Sequence, residues 1–237
     1  MANTGLASLL AERRAAVLER VAEAARRAGR DPGSVRLVAV SKGFGADVAR
    51  AAVAAGLTTL GENRVQEAVA KAPGVPGAAW HLVGPLQSNK ARPAIELFAV
   101  IETVDAVELA IRLDRLAAEL RPGRPLPVLL QVNVDRDPAK AGFAPAALEG
   151  SLEALLGLAN LRVEGLMTVG RLVATPAESR PTFRALRELG EHLRAASPAL
   201  GPALSMGMSD DYPVAVEEGA TIVRVGRALF GERPAVR

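Results

Sequence analysis

The chain contains no cysteine. Disulfides, thiolate metal sites and a cysteine nucleophile are excluded, no metal site is expected, and the composition fits a reducing cytoplasm. Aromatic residues are only 3% of the 237 positions, too few to build a stacking surface for nucleic-acid bases. No uninterrupted apolar run reaches the length of a membrane-spanning helix. The opening Met-Ala-Asn-Thr-Gly is not a basic segment followed by an apolar core, so no signal peptide is expected. Charge of one sign is also lacking: 29 basic residues are spread among 26 acidic ones, leaving +3. That pattern reads as a solvated surface, and neither nucleic acid nor membrane is expected as a partner.

What is present is an ordinary soluble composition, 49% hydrophobic and 23% charged, long enough for a sizeable core. Residues 5–29 read as an amphipathic helix with Leu6, Leu10, Val17 and Val21 on one face, stopped by Gly29 and Asp31-Pro32-Gly33. Apolar runs rich in β-branched residues then recur as strands at 37–40, 58–63, 80–84, 100–104, 127–134, 161–168, 203–209 and 221–226. Helical patterns fall between most of them, at 47–56, 64–71, 106–120, 146–158 and 178–195, with a final turn at 227–230. Asp47 is the expected cap of the first of these, and Asp210 or Asp211 of a short helix after strand seven. No linker, repeat or low-complexity segment interrupts the series.

Eight βα units in strict alternation predict an α/β fold. The expected architecture is a single (β/α)8 TIM barrel over 35–231, with an extra N-terminal helix and the whole chain, 1–237, as one domain. An open doubly wound sheet is the alternative. It predicts Gly-x-Gly-x-x-Gly after an early strand, and Gly43-Phe-Gly45 lacks the third glycine.

In such barrels the working residues sit at the carboxyl ends of strands. The first strand ends in Ser41-Lys42. A lysine there meets the apolar interior at its mouth, and losing water favours the neutral, nucleophilic amine. Taken alone, a strand-end lysine more often snorkels to solvent. The ends of strands seven and eight tip the balance. Barrels often bind phosphate with these two loops. Here they offer the Ser209 hydroxyl and the backbone N–H groups around Gly226 and Arg227. Arg224, two residues before Gly226, points to the same side of its strand and needs a buried partner. A ring nitrogen of a ligand, Glu62 or Asp211 could each serve. His81, an isolated imidazole, reads as a hydrogen-bonded structural residue.

Lys42 with GENRVQE (61–67), WHLVGPLQSNK (80–90), GLM (165–167), LSMGMSDD (204–211) and VRVGRALFG (223–231) resembles the pyridoxal phosphate homeostasis protein family, itself similar to the barrel domain of alanine racemase. The likeness runs from about Val35 to Gly231. It implies pyridoxal 5′-phosphate as a Schiff base on Lys42, its phosphate held by Ser209, Gly226 and Arg227, its pyridine nitrogen facing Arg224, and Asn63 and Met208 lining the ring. Two positions depart from the family pattern. Lys-Thr-x-Pro is replaced by Lys42-Gly-Phe-Gly, and a Thr or Ser by Arg227, where the backbone N–H is the expected phosphate contact.

The resemblance implies intracellular cofactor supply, with apo-enzymes as possible recipients and no catalytic residues. An arginine cannot accept a proton, so it leaves the pyridine nitrogen unprotonated and the ring a weak electron sink. Alanine racemases add a tyrosine base from a second domain. Tyr212 is the only tyrosine here, no second domain is expected before Arg237, and a monomer is expected for the same reason. A small one-domain amino-acid racemase is the alternative function.

Overall fold

The computed structural model describes residues 2–171 and 173–232. It opens with α1 (Ala2–Arg27), followed by β1 (Arg36–Val40), α2 (Ala46–Ala54), β2 (Thr59–Glu62), α3 (Val65–Lys71), β3 (Ala79–Leu82), α4 (Ala91–Leu97), β4 (Val100–Val104) and α5 (Val107–Leu120). The second half runs through β5 (Leu126–Gln131), α6 (Pro145–Leu156), β6 (Leu161–Met167), α7 (Arg180–Ala196), β7 (Ala203–Ser205), α8 (Tyr212–Glu217), β8 (Ile222–Val225) and α9 (Arg227–Phe230). All eight strands are parallel and close into a barrel in chain order, β8 pairing with β1. The chain is therefore a (β/α)8 barrel with one helix ahead of it, as the alternating pattern predicts.

Strand side chains alternate between helices outside and barrel lumen inside. Val38, Leu129, Met167 and Ile222, from β1, β5, β6 and β8, pack on one another within the lumen. Gly61 faces the same space, since a Cβ there would lie 2.9 Å from Val38 and 3.3 Å from Val40. The outer layer buries the other strand faces against helices, for example Leu60 and Leu82 under Val65, Ala68 and Ala94. In parallel βα architecture both faces are covered, which is why the strands read as continuous apolar runs.

The extra helix α1 packs along the outside, touching α2, α8 and α9. Leu10, Val17 and Val21 are buried on its inner face, and Leu6 packs at the edge of the same core. Arg13 donates to Leu229 O at 2.9 Å, and Arg30, just past its end, donates to Val216 O at 2.6 Å. This helix thus braces the elements that follow the last two strands.

Three local expectations differ. Helix α4 was not legible in sequence, because it is one short turn-pair with Pro93 near its start. Proline is tolerated in the first turn of a helix, and Ala91, Ala94 and Ile95 bury a face at helical spacing. Gly45, not Asp47, is the N-cap of α2, and Asp47 sits in its first turn. Asp211, one of the two expected caps, is the N-cap residue of α8 but makes no side-chain capping bond there. Asp211 instead turns back to accept from Met208 N–H at 2.7 Å and from the Ser179 hydroxyl at 3.0 Å, folding the loop after β7 on itself.

The β6–β7 seam tests this packing. A Cβ at Gly165 would lie 2.0 Å from Ala203 O in the neighbouring strand. Gly165→Ala is expected to destabilise the fold by about 1–3 kcal/mol or more, the range for overpacking a close contact, read as a lowered urea midpoint. An unchanged midpoint would show that the seam is looser than described.

Candidate cofactor site

Strand register places the two halves of the site side by side. Ala39 pairs with Val225, so Val40 lies level with Gly226. A Cβ at Gly226 would come 3.2 Å from Val40 O, so the two backbones are close at this level. Strand β1 ends at Val40. Ser41 is buried facing the helices, and Lys42 follows at the mouth, partly buried rather than enclosed. The strand is thus two residues shorter at this end than Lys42 itself, and alternation aims Lys42 back over the lumen.

A cavity of about 270 Å³ opens there. It brings together all seven residues expected from sequence: Lys42, Asn63, Met208, Ser209, Arg224, Gly226 and Arg227. Val40, Val83 and Val169 add apolar wall, and Asp210 joins at the rim. Ser209 Oγ accepts from Gly226 N–H at 3.2 Å and from Ala228 N–H at 3.3 Å, so one hydroxyl occupies a pair of converging backbone donors. Arg227 pairs with Asp210 beside them. A lysine amine, an apolar slot and a cluster of N–H and guanidinium donors fit a flat, phosphate-bearing aldehyde. A roomier groove of about 600 Å³ adjoins, sharing Asn63 and lined by Arg64–Glu67, Pro85, Gln87 and Lys90. It lacks the strand-end amine and the paired loops after β7 and β8, so the chemistry lies in the smaller cavity. Gln87 and Lys90 belong to the groove, not to the cavity.

Below the cavity a polar chain crosses the lumen. Arg224, 4% exposed, donates to Ser205 Oγ at 2.7 Å and to Thr168 O at 2.7 Å. Ser205 donates to Glu102 Oε2 at 2.5 Å. Glu102 Oε1 lies 2.7 Å from His81 Nδ1, which is the donor when Glu102 is a carboxylate. Arg224 therefore satisfies itself with Ser205 and a backbone carbonyl, not with Glu62 or a hydrogen bond to Asp211. Burial alone pushes Glu102 upward, but the hydrogen bond and charge of His81, the charge of Arg224 and the Ser205 hydroxyl more than offset it. Its carboxyl is held below the usual carboxylate range. Burial pulls the Arg224 guanidinium down from its ordinary value while Glu102 and Asp211 hold it up. His81 is buried, hydrogen-bonded to Glu102 and absent from the cavity lining.

A second cluster lies behind Lys42. Lys71 Nζ, from the last turn of α3, sits 2.5 Å from Glu62 Oε1 and 3.0 Å from Ser41 O. The Ser41 hydroxyl donates to the same Glu62 oxygen at 2.6 Å. Burial pushes the Glu62 carboxyl above its usual range, with Lys71 and Ser41 pulling it back. Sequence reading missed Glu102, Ser205 and Lys71 as working parts, and offered Glu62 to Arg224 where it pairs with Lys71 and Ser41. The available signal was a carboxylate inside or ending an apolar strand, which must find a partner.

Tyr212 is fully buried in α8. Arg20 of α1 lies 5.3 Å above its ring, so the ring faces the outer helix layer and is absent from the cavity lining. Among the described residues no group of three or more His, Asp or Glu is placed to hold a metal ion, and no helix is long and apolar enough to cross a membrane.

A closed barrel with this rim defines a protein of the alanine racemase barrel type. The chain belongs to that family: the model of the alanine racemase N-terminal domain matches residues 13–234. Within it the chain belongs to the pyridoxal phosphate homeostasis proteins. It is 46% identical to the protein of that name from Pseudomonas aeruginosa over 230 residues, 95% of this chain and 96% of the relative. The Aquifex aeolicus protein of the same name is 40% identical over 224 residues, 94% of this chain and 97% of the relative. Among solved structures, PipY of Synechococcus elongatus, determined with PLP bound, superposes with a TM-score of 0.82 at 45% identity, covering 94% of this chain and 100% of PipY. Alanine racemase of Clostridium difficile superposes at 0.70 with 15% identity, covering 92% of this chain and 60% of that one, and shares the fold.

The Glu102 network carries a pH signature. A carboxyl held below its unfolded value stabilises the fold above that value, and the stabilisation is lost as pH falls through the folded one. Glu102→Gln leaves Arg224 buried without its counter-charge, at a cost of about 3–5 kcal/mol near neutral pH. The gap from the wild type is expected to narrow as pH drops through and below the carboxylate range, in urea melts taken across pH. A gap that stays constant with pH would contradict the assignment of Glu102 as the charged member.

Proposed function

We propose that this protein holds pyridoxal 5′-phosphate as a Schiff base on Lys42 and serves to store and supply it. The carrying observation is that Lys42, Arg224 and the Ser209–Gly226–Arg227 donors line one cavity. The family name and the cofactor bound to PipY support the same reading. Lys42 condenses its amine with the aldehyde: one C=N bond forms and one water leaves. The backbone N–H groups of Gly226 and Ala228 take the phosphate, the Ser209 hydroxyl rotates from accepting to donating, and Arg227 adds charge by sharing itself with Asp210. Arg224 faces the pyridine nitrogen from the lumen, and Asn63 and Met208 flank the ring. Bound there, the cofactor supplies an aldehyde for amines and an electron-withdrawing ring.

The site favours holding over turnover. A guanidinium cannot hand a proton to the ring nitrogen, so carbanion stabilisation is weak. Moving a proton between the two faces of an α-carbon needs two bases, and the tyrosine of this chain lies in the outer layer against Arg20. Recipients of the cofactor are apo forms of enzymes that use it. The proposal takes the chain as one barrel domain, monomeric in the cytoplasm.

Two measurements test the proposal together. The wild type titrated with the cofactor should gain the absorbance band of a protein-bound Schiff base, and Lys42→Ala should not. Incubated with single L-amino acids in deuterium oxide, the loaded protein should show at most slow α-proton exchange. A Schiff-base band in Lys42→Ala overturns the lysine assignment. Sustained racemisation overturns the carrier reading in favour of a one-domain racemase.

A further inference from the structure

The buried Lys71–Glu62 pair has no part in holding the cofactor, and its place in the fold is unusual. Glu62 is 0% exposed and Lys71 7%. Glu62 Oε2 is buried with no hydrogen-bond partner, so the carboxylate is compensated on one oxygen only. A buried ion pair of this kind is poor value for stability compared with well-packed apolar residues. What the pair does achieve is control of one residue. Ser41, 0% exposed, has each of its polar groups fixed: its N–H by Gly61 O at 3.0 Å, its hydroxyl by Glu62 at 2.6 Å, and its carbonyl by Lys71 Nζ at 3.0 Å and Phe44 N–H at 3.1 Å.

The peptide carbonyl that Lys71 grips is the one joining Ser41 to Lys42. Strand β1 has already ended at Val40, two residues before Lys42. The next residue, Gly43, has φ +80°. Lys42 thus enters the turn that leaves the sheet directly after Ser41. Glu62 meanwhile precedes Asn63, which lines the cavity. One ion pair on the outer side of β1 and β2 thus sets two cavity residues from behind. The reach is natural for α3, because helix side chains lean toward the helix N-terminus, which lies at the cavity end of the barrel.

We propose that Lys71 is a positioning residue for Lys42, acting with Glu62 through Ser41 to aim the amine at the cofactor aldehyde. The inference rests on the Schiff-base reading above. Lys71→Met alone would strand the Glu62 carboxylate, so the test pairs it with Glu62→Gln, and Ser41→Ala serves as a milder second variant that keeps the ion pair. Two probes are compared. Pyridoxal 5′-phosphate with borohydride reports the rate of covalent capture, and 4-deoxypyridoxine 5′-phosphate, which has no aldehyde, reports binding in the cavity alone.

Both variants should bind the aldehyde-free analogue as the wild type does and be captured more slowly. About tenfold is expected for the double variant, misplacement of a reacting group by about 1 Å being able to cost up to ~100-fold. Wild-type capture rates in the double variant overturn the proposal, and in Ser41→Ala they overturn the part assigned to the contact between the Ser41 hydroxyl and Glu62. So does an equal loss with both probes, which marks a merely structural role. Lys42→Ala run alongside keeps the two claims apart: capture that survives in it condemns the lysine assignment itself, whatever Lys71 does.

Discussion

A guanidinium inside an apolar barrel is the constraint on which the rest of this structure depends. Arg224 cannot lose its proton and cannot reach bulk water. The lumen must therefore carry an oxygen on each side of it, and a carboxylate within electrostatic reach. Ser205 and the Thr168 carbonyl supply the first, Glu102 the second, and His81 completes the carboxylate's other oxygen. Four strands and one loop are pinned to one another by that need. The result is a rigid, positively charged floor under a cavity whose walls are valines.

The floor and the rim do different work. The floor offers a permanent donor and never an acid, so it suits a ligand with a lone pair to place and no proton to receive. The rim gathers the turn through Lys42, the Ser209 hydroxyl on two backbone N–H groups, and Arg227 paired with Asp210. A racemase site needs a second base held as firmly as the first, and Tyr212 is committed to packing under α1.

Much of this was legible in the sequence. Alternating apolar runs and helical faces predict the barrel, since eight βα units fit a closed parallel sheet and the glycine fingerprint of the open, doubly wound alternative is missing. The cavity residues were legible because they fall at strand ends with the residue types a phosphate and an aldehyde require. The polar chain was not. Ser205 and Glu102 are 103 positions apart, and nothing local in either strand says that they will meet across the lumen. Lys71 was hidden for a related reason: at the end of a short helix it looks like an ordinary solvated cation, and only the third dimension folds it back onto Ser41. Helix α4 was lost to a proline that reads as a breaker but sits where a helix tolerates one. Asp47 falls two residues past the Gly45 N-cap, whereas Asp211 does hold the N-cap position of α8, its carboxylate turned onto the loop at 208–211.

The central claim is that one particular amine, at the end of the first strand, is the covalent anchor. Peptide mapping by mass spectrometry, after loading the full chain with pyridoxal 5′-phosphate and reducing it with borohydride, reads the anchor directly. The account predicts the reduced adduct on Lys42. An adduct found instead on Lys71, Lys90 or Lys140 would contradict it.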